Sequence, residues 1–201
     1  MILRFYTILV LTSSSLLFAF DKGDLVLLKK EKTCLFCDLK DANLSGMNLS
    51  GYDLTDSDLS GADLTYTSLI KSNLNSVNLD GAILINTNAR HSNFKYANLS
   101  HVIAHGLVLK DVTLAHAKII DANMSGARLW NLDLRKTTIK HTDFTGAAIA
   151  VCKLGGINLI DSNLKDTILW KSSFKGSILS KKECKHVKDQ GAIIDAKTSC
   201  K

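Results

Sequence analysis

Cys34 and Cys37 stand at C-x-x-C spacing, the one short pattern in this chain with the residue types for redox or zinc chemistry. Neither chemistry has its usual company. No second pair follows at zinc-ligand spacing, and no thioredoxin-like pattern surrounds the motif. The histidines at 91, 101, 105, 116, 141 and 186 form no Ser/His/Asp or Cys/His arrangement. No glycine loop opens a helix, and no pair of carboxylates sits in an expected cleft. The chain is therefore read as non-enzymatic, with no catalytic residue, no cofactor and no metal assigned. What remains is Trp130 and Trp170, each beside a cation, Arg128 and Lys171. Such side chains serve recognition rather than bond-making.

These residues hang on a strict periodicity. From Leu39 to Leu179, every fifth position is apolar without a phase break, and of these 29 positions only Ala89 and Ala104 are small. Two positions before each centre the residues are mostly small, such as Ala42, Ala62, Ser57 and Ser162; one before, Asp or Asn stands in 16 of 29. Two after lie nine of the twelve glycines, from Gly46 to Gly176. A period of five fits neither the helix at 3.6 nor strand alternation at 2. It fits one short extended side plus one turn. Within a side, the centre and the residue two before it face the same way, one large and one small. Asp, Asn and Gly supply the turns. No unit can bury its own leucine, so units must stack. The absence of proline agrees with a backbone committed to hydrogen-bonded ladders.

Segments such as Asp41-Ala-Asn-Leu-Ser45 and Gly61-Ala-Asp-Leu-Thr65 carry the A-[D/N]-L-x-x pattern, which resembles the pentapeptide-repeat proteins over roughly residues 34–180. The opening Cys34-Leu-Phe-Cys37-Asp-Leu39 looks like that of extracytoplasmic members. The resemblance implies an all-β solenoid, a right-handed quadrilateral β-helix. It would have about seven coils of 20 residues and a length on the order of 35 Å at the usual strand spacing.

With 20 residues per coil, outward positions stack into columns. One reads Ser50, Ile70, Arg90, Lys110, Trp130, Ala150, Trp170, with Arg128, Ala148, Ile168, Val151 and Lys171 alongside. Trp130, Trp170, Arg128, Lys110 and Lys171 form the expected partner-contact face, unless the C-terminal segment folds over it. Ile83, Ile103, Ile85 and His105 make a smaller patch suited to self-association, so a homo-oligomer stays open. His101, Asp121, His141 and Asp161 form another column. Successive histidines there stand ~10 Å apart at the backbone, too far for shared ~2 Å metal bonds, which favours plain charge alternation. His91, His116 and His186 join no cluster. Lys95, Arg135, Lys136, Lys153 and Lys175 lean toward one face, read as solvated charge rather than a nucleic-acid stripe. In the core, Val102 and Leu107 offset the small Ala89 and Ala104.

The ends need closing. The segment 21–33, with Leu25, Leu27 and Leu28, would cap the first coil as a short strand or helical turn. Ser180-Lys-Lys-Glu183 is a capping box that predicts a helix from 181 to 190, stopped by Gly191, with Ile194 back in phase, so 181–201 reads as a C-terminal helical cap. Cys34 and Cys37 fall within one turn, so a bridge and two buried free thiols both fit. Cys184 and Cys200 flank the last segment and are spaced to bridge. Cys152 reads as a buried free thiol.

Residues 1–20 have one cation, Arg4, before an apolar stretch, the layout of a signal peptide, with an uncleaved anchor or a cap helix as alternatives. A cleaved signal would leave no stable membrane span and place the protein in the periplasm or outside the cell. The formal charge of +6 is uneven: residues 34–88 hold two Lys against seven Asp, while 89–201 hold 18 Lys and Arg against nine acids. The expected role is an exported structural or protein-interaction scaffold with a protein or envelope partner. The alternative that the resemblance brings, a DNA-mimic inhibitor or protector of DNA gyrase, needs an acidic cytoplasmic rod and is disfavoured by the charge and the signal.

Overall fold

A computed structural model describes residues 22–201. The expected signal segment lies outside the described residues. Beyond a first helix, α1 (Lys22–Lys30), the chain winds so that residues 20 apart lie side by side in parallel, from Thr33↔Asp53 to Ser173↔Ile193. Where pairing is most regular it forms strands β1 (Val108–Lys110), β2 (Lys118–Ile120), β3 (Arg128–Trp130), β4 (Thr138–Lys140) and β5 (Ala148–Ala150). β1, β3 and β5 make one parallel sheet and β2 and β4 another.

Each unit repeats a small set of bonds. The centre N–H reaches the next coil, as in Leu39 to Asp58 O at 2.8 Å, and the residue before a centre reaches back, as in Asp58 N to Cys37 O at 2.9 Å. The N–H three beyond a centre closes a turn on its carbonyl, as in Ala42 to Leu39 at 3.1 Å. That turn needs a left-handed residue two after the centre, as a type II turn does. Gly46 takes it at φ +67°, and Asn86 and Asp56 take it with side chains. The Asp or Asn before the centre accepts from the amide two residues on, as Asp58 does from Ser60 at 2.9 Å, which fixes the corner. Its partners stack: Asn98 Nδ2 donates to Asn78 Oδ1 at 3.1 Å, and Asn78 Nδ2 to Asp58 Oδ1 at 3.0 Å.

All the centres are buried, Ala89 and Ala104 among them, with Val102 and Leu107 buried nearby. The small inward slots do more than save space. The hydroxyls of Thr67, Ser72 and Thr87 donate at 2.6–2.9 Å to carbonyls 23 residues earlier, of Leu44, Leu49 and Leu64. A buried hydroxyl must find such a partner, and the neighbouring coil offers one.

Helices lie at both ends. α1 buries Leu28 against the core, with Leu25 and Leu27 packed beside it, and Asp24 Oδ2 accepts from Asp38 N at 2.9 Å. Cys34 and Cys37 are joined by a disulfide just after it. At the far end, β6 (Ile178–Leu179) leads into α2 (Lys181–Asp189). Ser180 is its N-cap, accepting from Glu183 N at 3.2 Å, while its hydroxyl bonds the Glu183 carboxylate. Gly191, at φ +67°, follows the C-cap Gln190. Cys184 and Val187 are buried, Glu183 Oε1 accepts from Leu164 N at 3.4 Å, and β7 (Ser199–Cys200) pairs with β6. Cys200 is bonded to Cys184. Cys152 is a buried free thiol, pushed up to about 11 by burial and so unreactive at neutral pH. No described helix is long and apolar enough to cross a membrane.

Candidate interaction face

The sheet β1–β3–β5 brings the two tryptophans together. Lys110, Trp130 and Ala150 are direct neighbours across it, and Trp170 follows in the next coil, where its carbonyl accepts from Val151 N at 2.9 Å. Two coils separate the tryptophan backbones, yet the ring centroids lie 5.8 Å apart at 43°. The rings meet over Ala150, which is buried although its slot points outward. Both indoles remain open to solvent, at 45% and 49% exposure, with Ile168 exposed beside them. The C-terminal segment does not cover this face.

Cations frame it. Lys171 Nζ lies 4.5 Å from the Trp170 ring centroid, over its electron-rich face. Arg90, Lys110 and Arg128 surround a hollow of about 190 Å³ whose walls are Val108 and Trp130. Among the described residues, no carboxylate pairs with Arg90, Lys110, Arg128 or Lys171. Val151, at φ 57°, is the one β-branched residue among the described non-glycine residues with positive φ. That conformation is costly for a branched side chain.

The histidine column is longer than the spacing suggests. His101 Nδ1 lies 2.7 Å from Asp80 Oδ1, and His101 Nε2 lies 3.8 Å from Asp121. His141 lies 3.2 Å from Asp121 and 3.7 Å from Asp161. Five side chains thus alternate between carboxylate and imidazole along the rod. Asp80, set 21 rather than 20 residues before His101, escapes a strict register count. His91, His116 and His186, expected to join no cluster, also have partners. His91 lies 3.6 Å from Asp111, His116 stacks on Tyr96 at 5.1 Å, and His186 Nε2 lies 3.0 Å from Thr167 Oγ1. Among the described residues, no group of three or more His, Cys, Asp or Glu is arranged to hold a metal.

The hydrogen bond to Asp80 raises the His101 pKa from 6.5; desolvation opposes it, and the charges of Asp80 and Asp121 assist. The sign follows from linkage. A group whose pKa is raised on folding stabilises the fold fully below its unfolded value, and loses that contribution as pH rises through the folded value. The melting temperature of the wild type should therefore fall more between pH 6 and 8 than that of His101→Gln, a comparison that differential scanning fluorimetry makes directly.

A second opening has a different setting. Val112 and Leu132 occupy successive inward slots where small residues are the rule, and both are buried. Beside them the coils part. The ladder bonds expected between Leu114 and Asp133 are missing among the described residues, and His116 N takes Lys136 O at 2.9 Å instead of Arg135 O. A cleft of about 810 Å³ results, lined by Asp111, Asn131, Asp133, Arg135 and Lys136 among others. Its carboxylates and its arginine are already paired. Arg135 forks onto Asp133 at 2.9 and 2.5 Å, which holds the Asp133 pKa at about 2, and Asn131 Nδ2 donates to Asp111 at 2.7 Å. Of the expected basic stripe, Arg135 is thus spent on Asp133, and Lys95 lies over the Tyr96 ring at 4.8 Å.

A parallel solenoid built from five-residue units, carrying an open aromatic and basic face, defines a class of repeat protein. The chain belongs to the pentapeptide repeats family, whose model matches in eight copies over residues 37–75, 72–106 and 113–147. Members form right-handed quadrilateral β-helices. Among solved structures, HetL, a pentapeptide repeat protein involved in heterocyst differentiation regulation from the cyanobacterium Nostoc sp. strain PCC 7120, is similar at 18% identity. That match covers 89% of this chain and 92% of HetL with a TM-score of 0.45. QnrB1, a plasmid-mediated fluoroquinolone resistance protein, is similar at 16% identity over 82% of this chain and 80% of its own, also with a TM-score of 0.45. A pentapeptide repeat protein of the Arabidopsis thaliana thylakoid lumen is 23% identical over 62% of this chain and 72% of its own, with a TM-score of 0.25. No curated protein matches the chain.

Proposed function

We propose that this protein is a non-enzymatic, exported scaffold of about seven coils, closed at both ends by helices, which holds an envelope partner on its tryptophan face. The observation that carries this reading is the open Trp130–Trp170 pair framed by cations that lack carboxylate partners. Keeping two indoles in water is costly unless something covers them, and solvent-facing aromatic patches rimmed by charge are typical of contact sites. Two features support the compartment. Disulfides such as Cys34–Cys37 and Cys184–Cys200 persist in oxidising surroundings, and residues 1–20 have the composition of an export signal. The positive face is the opposite of what a DNA mimic presents.

The test is substitution of both indoles. Trp130→Ala with Trp170→Ala should leave the circular dichroism spectrum and the melting transition nearly unchanged, because neither ring belongs to the core. Retention of the protein on envelope extract should drop by about tenfold or more, as expected when a central aromatic pair is removed from a contact. Undiminished retention would show that the contact lies elsewhere.

A further inference from the structure

We propose that the hollow beside Trp130 is a carboxylate site, and that the ligand on this face is an acidic glycan; this rests on the tryptophan face being the contact surface. Arg90, Lys110 and Arg128 line one shallow hollow and bring no counter-charge with them. Grouped cations repel, so an arrangement of three around one hollow is relaxed by an anion between them. Arginine suits this role because its planar fork matches a carboxylate with two parallel hydrogen bonds.

The surroundings select the rest of the ligand. A peptide strand cannot add to this sheet, because its backbone groups are already paired coil to coil, from Asn88↔Val108 through Ala148↔Ile168. Recognition must therefore use side chains alone. The hollow, at about 190 Å³, is smaller than the usual ~300 Å³ lower bound of a site that engulfs a ligand. It suits a single charged group whose carrier lies outside on the surface. The adjoining indoles offer that carrier a continuous apolar bed. The C–H face of a pyranose ring packs on such a bed while its hydroxyls stay in water.

A single-stranded nucleic acid fits less well. It asks for separate stacking slots and a basic track several nucleotides long. Here the two rings touch each other, and the column continues away from Arg90 as Ile70 and Ser50.

The test is calorimetric titration of the full protein with tetragalacturonate, with its methyl-esterified neutral form, with a short oligothymidylate and with a poly-aspartate peptide, while tryptophan fluorescence is followed. Saturable binding of tetragalacturonate is expected, with quenching, weakening as salt rises, and at least about tenfold weaker binding of the esterified form. Arg128→Gln and Lys110→Gln should each weaken binding of the charged sugar and leave the melting temperature unchanged. Equal binding of charged and neutral sugars, no saturable binding of tetragalacturonate, or tighter binding of the nucleotide or the peptide would each overturn the proposal. If the glycan fails while Trp130→Ala with Trp170→Ala still abolishes envelope retention, the contact face stands and only its ligand class is wrong. If both fail, the contact face falls with it.

Discussion

A chain carrying Leu99→Asp is expected to lose its cooperative unfolding transition. Leu99 is a mid-rod centre and is buried, with Ala97 and Val102 buried on either side in sequence. A carboxylate there would have no cation to meet, and an uncompensated buried charge costs several kcal/mol even after relaxation. The whole stability of an ordinary domain is ~5–15 kcal/mol. In a solenoid the damage also spreads, since each coil is stable only through its neighbours. Circular dichroism during heating would show a featureless slope instead of a sigmoid. The companion variant Asn98→Ala, one residue away but at an outward corner, removes an amide bond to Asn78 and two bonds accepted from Ser100, and should cost only about 2 kcal/mol. An unchanged transition for Leu99→Asp would overturn the inward register on which every surface column depends.

Breaking the C-terminal bridge is the second large effect. Cys184 and Cys200 are 16 residues apart, and a closed loop of that size is worth about 3 kcal/mol through its effect on the unfolded chain. The bridge ties α2 to β7, the last layer over the buried Phe174 and Leu179. Cys184→Ser with Cys200→Ser should lower the urea midpoint, and amide exchange should quicken first in α2 and β7. The Cys34–Cys37 bridge spans three residues and is worth less on the same argument, about 2 kcal/mol. A larger loss from Cys34→Ser with Cys37→Ser than from the 184/200 pair would contradict this ordering.

The architecture was legible because its information is local. Leucine every fifth residue, Asp or Asn before it and glycine two after it each act within one turn, so a reading frame of five recovers the centres, the corners and the left-handed positions. Ser180 and Glu183 announce α2 in the same local way. Other features depend on residues far apart in sequence. The hydroxyl of Thr67 reads as a small inward residue, and its bond to the Leu44 carbonyl appears only when coils are stacked. Asp80 reaches His101 diagonally, one place off the register. The cleft between Leu114 and Asp133 lies beside two bulky residues, Val112 and Leu132, that must be seen 20 apart to be seen as neighbours. The meeting of Trp130 and Trp170 depends on how both rings lean over Ala150, and side-chain lean leaves no mark in spacing.

The stacking of residues 20 apart has one more consequence. The interior keeps time in fives, for any centre can follow any other, whereas the exterior keeps time in twenties, because only every fourth unit returns to the same side. A lineage that gained or lost a single unit between Trp130 and Trp170 would preserve its core packing while sending the two rings to adjacent sides of the rod. The interval of two whole coils between the tryptophans is thus what keeps both rings on one side of the rod.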